Sequence, residues 1–186
     1  MSDFAAASAY LLGTINETAS RRLPTRLERM RALLSELGDP QSRYPTIHVG
    51  GTSGKGSTST MIASVLTAQG LRCGLHTKPH LVSMTERMKI DGQPIDEARF
   101  AGLLDEIRPV IDRVSAQNGR ATYYETLLAL SFVYFAREAV DVAVIEVGLG
   151  GSLDGTNVLA PIVSVITNIG LCLLYTSDAA DDLTRV

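Results

Sequence analysis

The spacing of apolar residues predicts helices in the first part of the chain. Between residues 25 and 38, apolar side chains recur three or four positions apart, as on one side of a helix. They are Leu27, Met30, Leu33, Leu34 and Leu37. Pro24 can occupy the first turn of this helix, and Gly38 is a natural stop after it.

Further along, short apolar runs that end in glycine or polar residues predict strands. They are "YPTIHVGG" (44–51), "LRCGLHT" (71–77), "VDVAVIEVG" (140–148) and "PIVSVITNIG" (161–170). We expect the last two to be buried, because they are nearly continuous apolar segments. "RMKIDGQPI" (87–95) indicates a hairpin, since Asp91-Gly92 is a strong signal for a two-residue turn.

Helical segments lie between these strands. We predict a helix over residues 57–69, closed by Gly70, and another that is capped by Asp96 and kinked or divided at Pro109. "YYETLLALSFVYFAREA" (123–139) is apolar on nearly all sides, which predicts a buried helix. Alternating strands and helices favour an α/β fold with a mostly parallel sheet and helices on both faces.

The pattern changes after "TNIGL" (167–171), where the chain continues as "CLLYTSDAADDLTRV". The helix and further strands that a doubly wound sheet would need do not follow. We therefore interpret residues 1–171 as an incomplete domain and residues 172–186 as a foreign or artefactual tail.

Composition and charge exclude several classes of protein. The chain has 186 residues, of which 45% are hydrophobic and 20% charged, as in a globular domain. The net charge of -3 gives no field that favours nucleic acid. The two cysteines, Cys73 and Cys172, form no disulfide framework. With no signal peptide and no apolar run long enough to span a membrane, we expect a cytoplasmic protein.

The segment "HVGGTSGKGSTST" (48–60) has the order strand, glycine turn, helix, which is typical of phosphate-binding loops. Lys55 can reach the outer phosphates. The match to the common P-loop pattern is incomplete, because Val49 stands where a glycine is expected and Gly56 directly follows the lysine. The alternative is a flexible loop with an incidental lysine; the strand and helix on either side favour phosphate binding.

Glu146 stands at the carboxyl end of the predicted strand over 140–148. Ligands of open α/β sheets bind at that edge, and a carboxylate there can hold Mg²⁺ against nucleotide phosphates. The alternative is a solvated acid at a strand end. Lys55 also follows a predicted strand, so we expect it at the same edge of the sheet as Glu146, which favours the metal interpretation.

Three motifs, in this order, resemble the folylpolyglutamate synthase and dihydrofolate synthase family of the Mur ligase superfamily. They are "GGTSGKGS" (50–57), "KPHLVSMTERMKIDGQPI" (78–95) and "IEVGLGGSLDGTN" (145–157). The resemblance extends from residue 26 to residue 171. It implies the P-loop-like central domain of a Mur ligase and an ATP-dependent ligase, which activates a folate or dihydropteroate carboxylate as an acyl phosphate that L-glutamate then attacks.

The resemblance also implies roles for individual residues. The ATP phosphates are bound by Thr52, Ser53, Gly54, Lys55, Gly56 and Ser57. Lys55 and Glu146 take part in catalysis, and Glu146 and Ser57 hold Mg²⁺. The folate or dihydropteroate substrate is contacted by His80, Thr122, Tyr124, Glu125 and Asp154. The expected protein is a monomer with no nucleic-acid or membrane partner.

Several positions depart from the family pattern. Lys78 replaces a serine that helps to bind magnesium, so that either its ammonium supplies part of the metal's charge or Thr77 supplies the oxygen. Ser152 replaces a common arginine. Cys172 and Leu173 stand where the family has Asp-His, whose histidine joins the metal site.

The family's C-terminal glutamate-binding domain has no counterpart in this sequence, so we expect the chain to be inactive alone. Two further hypotheses therefore stay open: a nucleotide-binding remnant without catalysis, and another Mur-type ligase acting on cell-wall precursors. The 78–90 and 148–154 segments favour folate over the latter.

Overall fold

The computed structural model describes residues 3–15, 24–148 and 150–170. The proposed tail over residues 172–186 lies outside the described residues. Within them, a six-stranded mixed sheet forms the centre of the fold, in the order β4-β3-β2-β5-β1-β6. The strands are β1 Thr46–Gly50, β2 Cys73–His76, β3 Met88–Ile90, β4 Gln93–Pro94, β5 Val142–Glu146 and β6 Val163–Ile166.

Strands β2, β5, β1 and β6 run parallel, and at one side β3 pairs antiparallel with β2 and β4 pairs antiparallel with β3. The predicted Asp91-Gly92 turn is confirmed, with positive φ angles of 50° and 78° that a tight hairpin turn requires. Because the four parallel strands share one direction, the loops that follow them meet at a single edge of the sheet.

Helices cover both faces of the sheet, as predicted. The described helices are α1 Phe4–Leu12, α2 Pro24–Glu36, α3 Lys55–Ala68, α4 Glu97–Asn118 and α5 Tyr123–Arg137. Short 3₁₀ turns lie at Pro40–Ser42, Met84–Arg87 and Gly155–Val158. Helix α3 begins two residues before the predicted start at residue 57, because Gly54, in the left-handed region, already serves as its N-cap.

The two faces of the sheet have separate apolar cores. On one face, Ala63 of α3 packs with Val49 and Val144 of the strands. On the other, the predicted buried helix α5 lies among α1, α2 and α4, and Phe132 and Phe135 are fully buried there. A Cβ at Gly74 would lie 2.9 Å from the Phe135 ring, so the glycine permits α5 to approach β2 closely.

Two expectations from the sequence need correction. Helix α4 runs unbroken from Glu97 to Asn118 and so is not divided at Pro109, because the proline faces solvent while Ile107 and Ile111 anchor the buried side. Strand β6 is not buried: among the described residues it pairs only with β1, at the edge of the sheet, and Val163 and Ile166 are 48% and 67% exposed.

Candidate nucleotide-binding site and adjoining cleft

The glycine loop joins β1 to α3 at the carboxyl edge of the sheet. Gly51 and Gly54 have φ angles of 132° and 78°, which other residues rarely adopt. A Cβ at Gly51 would lie 2.1 Å from Thr167 Oγ1 and 3.0 Å from the Asn168 carbonyl oxygen. The loop can therefore lie against the turn after β6 only because this position lacks a side chain.

The turn after β6 fixes the loop by hydrogen bonds. The Thr52 amide donates to the Asn168 carbonyl (2.9 Å), and the Ser53 amide donates to Asn168 Oδ1 (3.0 Å). Thr167 Oγ1 donates to the Ser53 carbonyl (2.7 Å), and the Gly170 amide donates to Thr52 Oγ1 (2.9 Å). Sequence reasoning did not nominate Thr167 or Asn168, although polar residues directly after a predicted parallel strand were a usable signal.

Lys55 is the first residue of α3, and its Nζ donates to the carbonyls of Gly51 (2.7 Å) and Thr52 (3.4 Å). The ammonium is thereby held over the loop. Within the described residues, no side chain caps the N-terminus of α3 at Gly54, so that the first amides of the helix are available to an anion. The Ser57 hydroxyl lies in the exposed first turn of the same helix. This arrangement of cation, free amides and hydroxyl suits a phosphate group.

Glu146 ends β5 directly beside the start of α3. Its Oε2 accepts a hydrogen bond from the Lys78 amide (3.0 Å) and lies 3.5 Å from the Cβ position of Gly56. Burial raises the pKa of the Glu146 carboxyl, and the Lys78 amide and the charges of Lys55 and Lys78 oppose that shift. The structure thus brings together Glu146 and the phosphate-loop residues that the sequence nominated.

Tyr124 and Asp154 meet on the other side of Gly148. Tyr124 Oη donates to Asp154 Oδ1 (3.3 Å), and burial together with this carboxylate raises the pKa of the Tyr124 hydroxyl well above 10.0. Asp154 is buried and caps the turn Gly155–Val158 by accepting from the Thr156 amide (2.9 Å) and hydroxyl (2.6 Å).

His80 lies at the rim of a surface cleft of about 640 Å³. Its Nδ1 accepts from Arg87 Nε (2.8 Å), and the Arg87 guanidinium lies 5.5 Å from the centre of the Tyr123 ring. Desolvation and the Arg87 charge lower the pKa of His80. Phe4 of α1 also lines the cleft, which therefore offers aromatic faces and a cation to a flat ligand.

Thr122 and Glu125 form the N-terminal cap of α5. The Thr122 amide donates to Glu125 Oε2 (2.7 Å), and the Glu125 amide donates to Thr122 Oγ1 (3.2 Å). Arg29 of α2 donates to both Glu125 oxygens, at 3.0 and 2.9 Å. The polar groups of these two nominated residues are therefore engaged within the protein, and neither belongs to the Glu146 group or to the Tyr124–Asp154 pair.

The strand histidines are packed. His48 Nε2 lies 2.7 Å from Thr156 Oγ1, and burial lowers the pKa of His48. His76 is fully buried with Nδ1 2.8 Å from Ser131 Oγ, and burial lowers the pKa of His76 to about 3. Cys73 is likewise a buried core residue.

The residues at the sheet edge fit a hard cation such as Mg²⁺. In the described part of the chain, no three His, Cys, Asp or Glu side chains form a group that could hold a metal alone. Mg²⁺ at nucleotide sites, however, typically takes only one or two carboxylates and completes its shell with phosphate and water oxygens. The Glu146 carboxylate and the Ser57 hydroxyl supply such oxygens next to the loop.

None of the helices among residues 3–15, 24–148 and 150–170 is long and apolar enough to span a membrane.

A scan against protein-family models found no match. Curated proteins do match. The chain is 44% identical over 145 residues to folylpolyglutamate synthase of Lacticaseibacillus casei, covering 77% of this chain and 34% of the relative. It is 41% identical over 158 residues to dihydrofolate synthase/folylpolyglutamate synthase of Mycobacterium tuberculosis, covering 81% and 32%.

Solved structures agree with these relatives. Apo folylpolyglutamate synthase of L. casei superposes with a TM-score of 0.85 at 37% identity, covering 94% of this chain and 42% of that one. The M. tuberculosis enzyme complexed with ADP gives a TM-score of 0.82 at 38% identity, covering 90% and 37%. A folylpolyglutamate synthase complex with AMPPCP and folate gives 0.82 at 39% identity, covering 89% and 40%.

The chain spans about a third of the length of the L. casei and M. tuberculosis relatives, and the match extends over most of its own residues. The α/β fold with a mostly parallel sheet agrees with these structures. By sequence and by fold, the chain belongs to the folylpolyglutamate synthase and dihydrofolate synthase family.

Proposed function

We propose that this chain is the ATP-binding part of a ligase that joins L-glutamate to a folate or dihydropteroate carboxylate. The observation that carries the proposal is the placement of Lys55, the free amides of α3 and the Glu146 carboxylate around one point at the sheet edge. ADP and AMPPCP complexes of related enzymes support a nucleotide as the ligand.

In this proposal the chain's residues hold and neutralise the phosphates. Residues 52–57 surround the phosphate chain, and Lys55 stabilises the charge that develops when the terminal phosphoryl group moves to the acceptor carboxylate. Glu146 and Ser57 would hold Mg²⁺, which would neutralise further phosphate charge. Catalysis of this kind depends on position and electrostatics, which suits a loop whose residues Thr52 and Ser53 are held by hydrogen bonds to the turn after β6.

The acceptor would enter from the cleft beside His80. A pterin or folate is flat and aromatic, and Tyr123, Phe4 and the Arg87 guanidinium offer it stacking surfaces. We further propose that Tyr124 and Asp154 contact this substrate, because Tyr124 directly follows Tyr123 of the cleft and the charges of Asp154, Glu146 and Arg87 all act on its hydroxyl. A related complex that contains folate supports this class of acceptor.

Folate is favoured over a cell-wall precursor because the relatives named above are folylpolyglutamate or dihydrofolate synthases. L-glutamate as the incoming amine follows from those names and stays part of the proposal. A monomeric state and a cytoplasmic location stay predictions from the sequence.

Calorimetric titration of the chain with ATP and Mg²⁺ tests the nucleotide function. We expect a single site in the wild-type chain and a loss of at least about tenfold in affinity for Lys55→Met, the equivalent of about 1.4 kcal/mol. Lys89→Met is the matched control, since it removes the same charge from strand β3. ATP binding that is absent in the wild type, or unchanged in Lys55→Met, would contradict the proposal.

A further inference from the structure

Lys78 is a half-buried lysine at the sheet edge whose ammonium has no partner among the described residues. It follows β2, and within the described part of the chain its Nζ makes no hydrogen bond and no ion pair within 4.0 Å. Lys55, by contrast, binds two carbonyl oxygens of the glycine loop. Since a partly buried charge without a partner is unfavourable, an unpaired lysine at such a position indicates an absent anionic ligand.

The backbone of Lys78 is fixed beside the phosphate loop. Its amide donates to Glu146 Oε2 (3.0 Å), and the same oxygen lies 3.5 Å from the Cβ position of Gly56 at the start of α3. The charged groups that act on the Lys78 side chain are Asp154, Lys55, Glu146 and Arg87. Two of these residues are cations and two are carboxylates. The ammonium therefore lies among the charged residues of the site and not on an outer surface.

Neither carboxylate satisfies the ammonium. Glu146 accepts a hydrogen bond from the Lys78 amide rather than from the Lys78 Nζ. Asp154 Oδ1 accepts hydrogen bonds from the hydroxyls of Tyr124 and Thr156. A phosphate group bound between Lys55 and the amides of α3 would bring several acceptor oxygens to this region. Ammonium–phosphate contacts are charge-assisted and among the stronger hydrogen bonds.

Resting on the proposed function, we propose that Lys78 is a second phosphate-binding cation, which contacts the terminal phosphate of a nucleoside triphosphate. It would supply positive charge to the phosphates without a divalent ion. Its contribution should therefore be greatest for ATP in the absence of metal and smaller for ADP, which lacks the terminal phosphate.

The test is calorimetry with ATP and with ADP, in EDTA and in Mg²⁺, on the 186-residue chain. Lys78→Met, which keeps most of the aliphatic stem, should bind metal-free ATP about tenfold more weakly than the wild type, the equivalent of about 1.4 kcal/mol. Its affinity for ADP should change much less. Lys78→Arg should bind metal-free ATP close to the wild-type level, and the control Lys89→Met should match the wild type in every titration.

The outcomes separate this inference from the proposed function. A wild-type chain that binds ATP, with a folded Lys78→Met variant of the same metal-free ATP affinity, overturns the role of Lys78 alone. An equal loss for ATP and ADP also overturns it, because the terminal phosphate would not be the contact. A wild-type chain that binds no ATP overturns both proposals. If Lys78→Met fails to fold, Lys78→Gln replaces it with the same criteria.

Discussion

At the scale of the residue, Gly148 shows how a missing side chain shapes the site. A Cβ at this position would lie 2.4 Å from Asp154 Oδ2 and 2.5 Å from Tyr124 Oη. The Tyr124–Asp154 hydrogen bond therefore occupies the space that any other residue would fill. Two positions upstream, Glu146 faces the phosphate loop, so this short segment separates the two sides of the site.

Gly148→Ala should weaken the fold by about 1–3 kcal/mol, as overpacking in a well-packed region does, and should displace the Tyr124 hydroxyl. Gly151→Ala is the matched control, because a Cβ there meets nothing within 4 Å. Chemical denaturation measures the free energy of unfolding of both variants. Equal stability of the two variants would show that the site around Gly148 is looser than described.

Part of the site could be predicted from residues alone. The phosphate loop and Glu146 have local signals, namely glycines and a lysine after a strand, and an acid at a strand end. Arg29 has no such signal, because it acts through Glu125, 96 positions away in the chain. Asn168 stands at a predicted strand end, but its partner Ser53, 115 positions away, could not be read from that signal. Only the tertiary fold brings these pairs together.

At the scale of the element, the first turn of α5 depends on a buried ion pair. Thr122 and Glu125 form a capping box, and Arg29 donates to both oxygens of Glu125. The side chains of Arg29 and Glu125 are only 10% and 4% exposed. Thr122 and Glu125 have capping-box spacing in the sequence, but they were expected to contact the substrate, and their link to α2 has no local signal. This link fixes the helix start that carries Tyr123 and Tyr124.

Arg29→Met should destabilise the chain by about 3–5 kcal/mol, because it leaves the Glu125 carboxylate buried without its cation. The control is Arg113→Met, which breaks the exposed pair with Glu36 and should cost about 1 kcal/mol or less. The measurement is denaturant unfolding of both variants. A cost for Arg29→Met no greater than for the control would mean that the cap alone orders α5.

At the scale of the whole molecule, the parallel strands account for the position of the site. The alternation of strands and helices predicted an α/β sheet with helices on both faces, and the structure confirms it. The order of the strands and the exposure of β6 could not be read from the pattern. An apolar run looks the same at an edge as in the middle of a sheet, because burial depends on neighbours that are distant in sequence.

The most direct test of this account is to map, by the amide chemical shifts of the labelled chain, where the ATP analogue AMPPCP binds. The account predicts the largest changes at the amides of residues 51–57 and of Lys78, with small changes in the β3–β4 hairpin turn at Asp91-Gly92. Large changes confined to other parts of the chain, or no changes at saturating AMPPCP, would contradict the assignment of a nucleotide site to the carboxyl edge of the sheet.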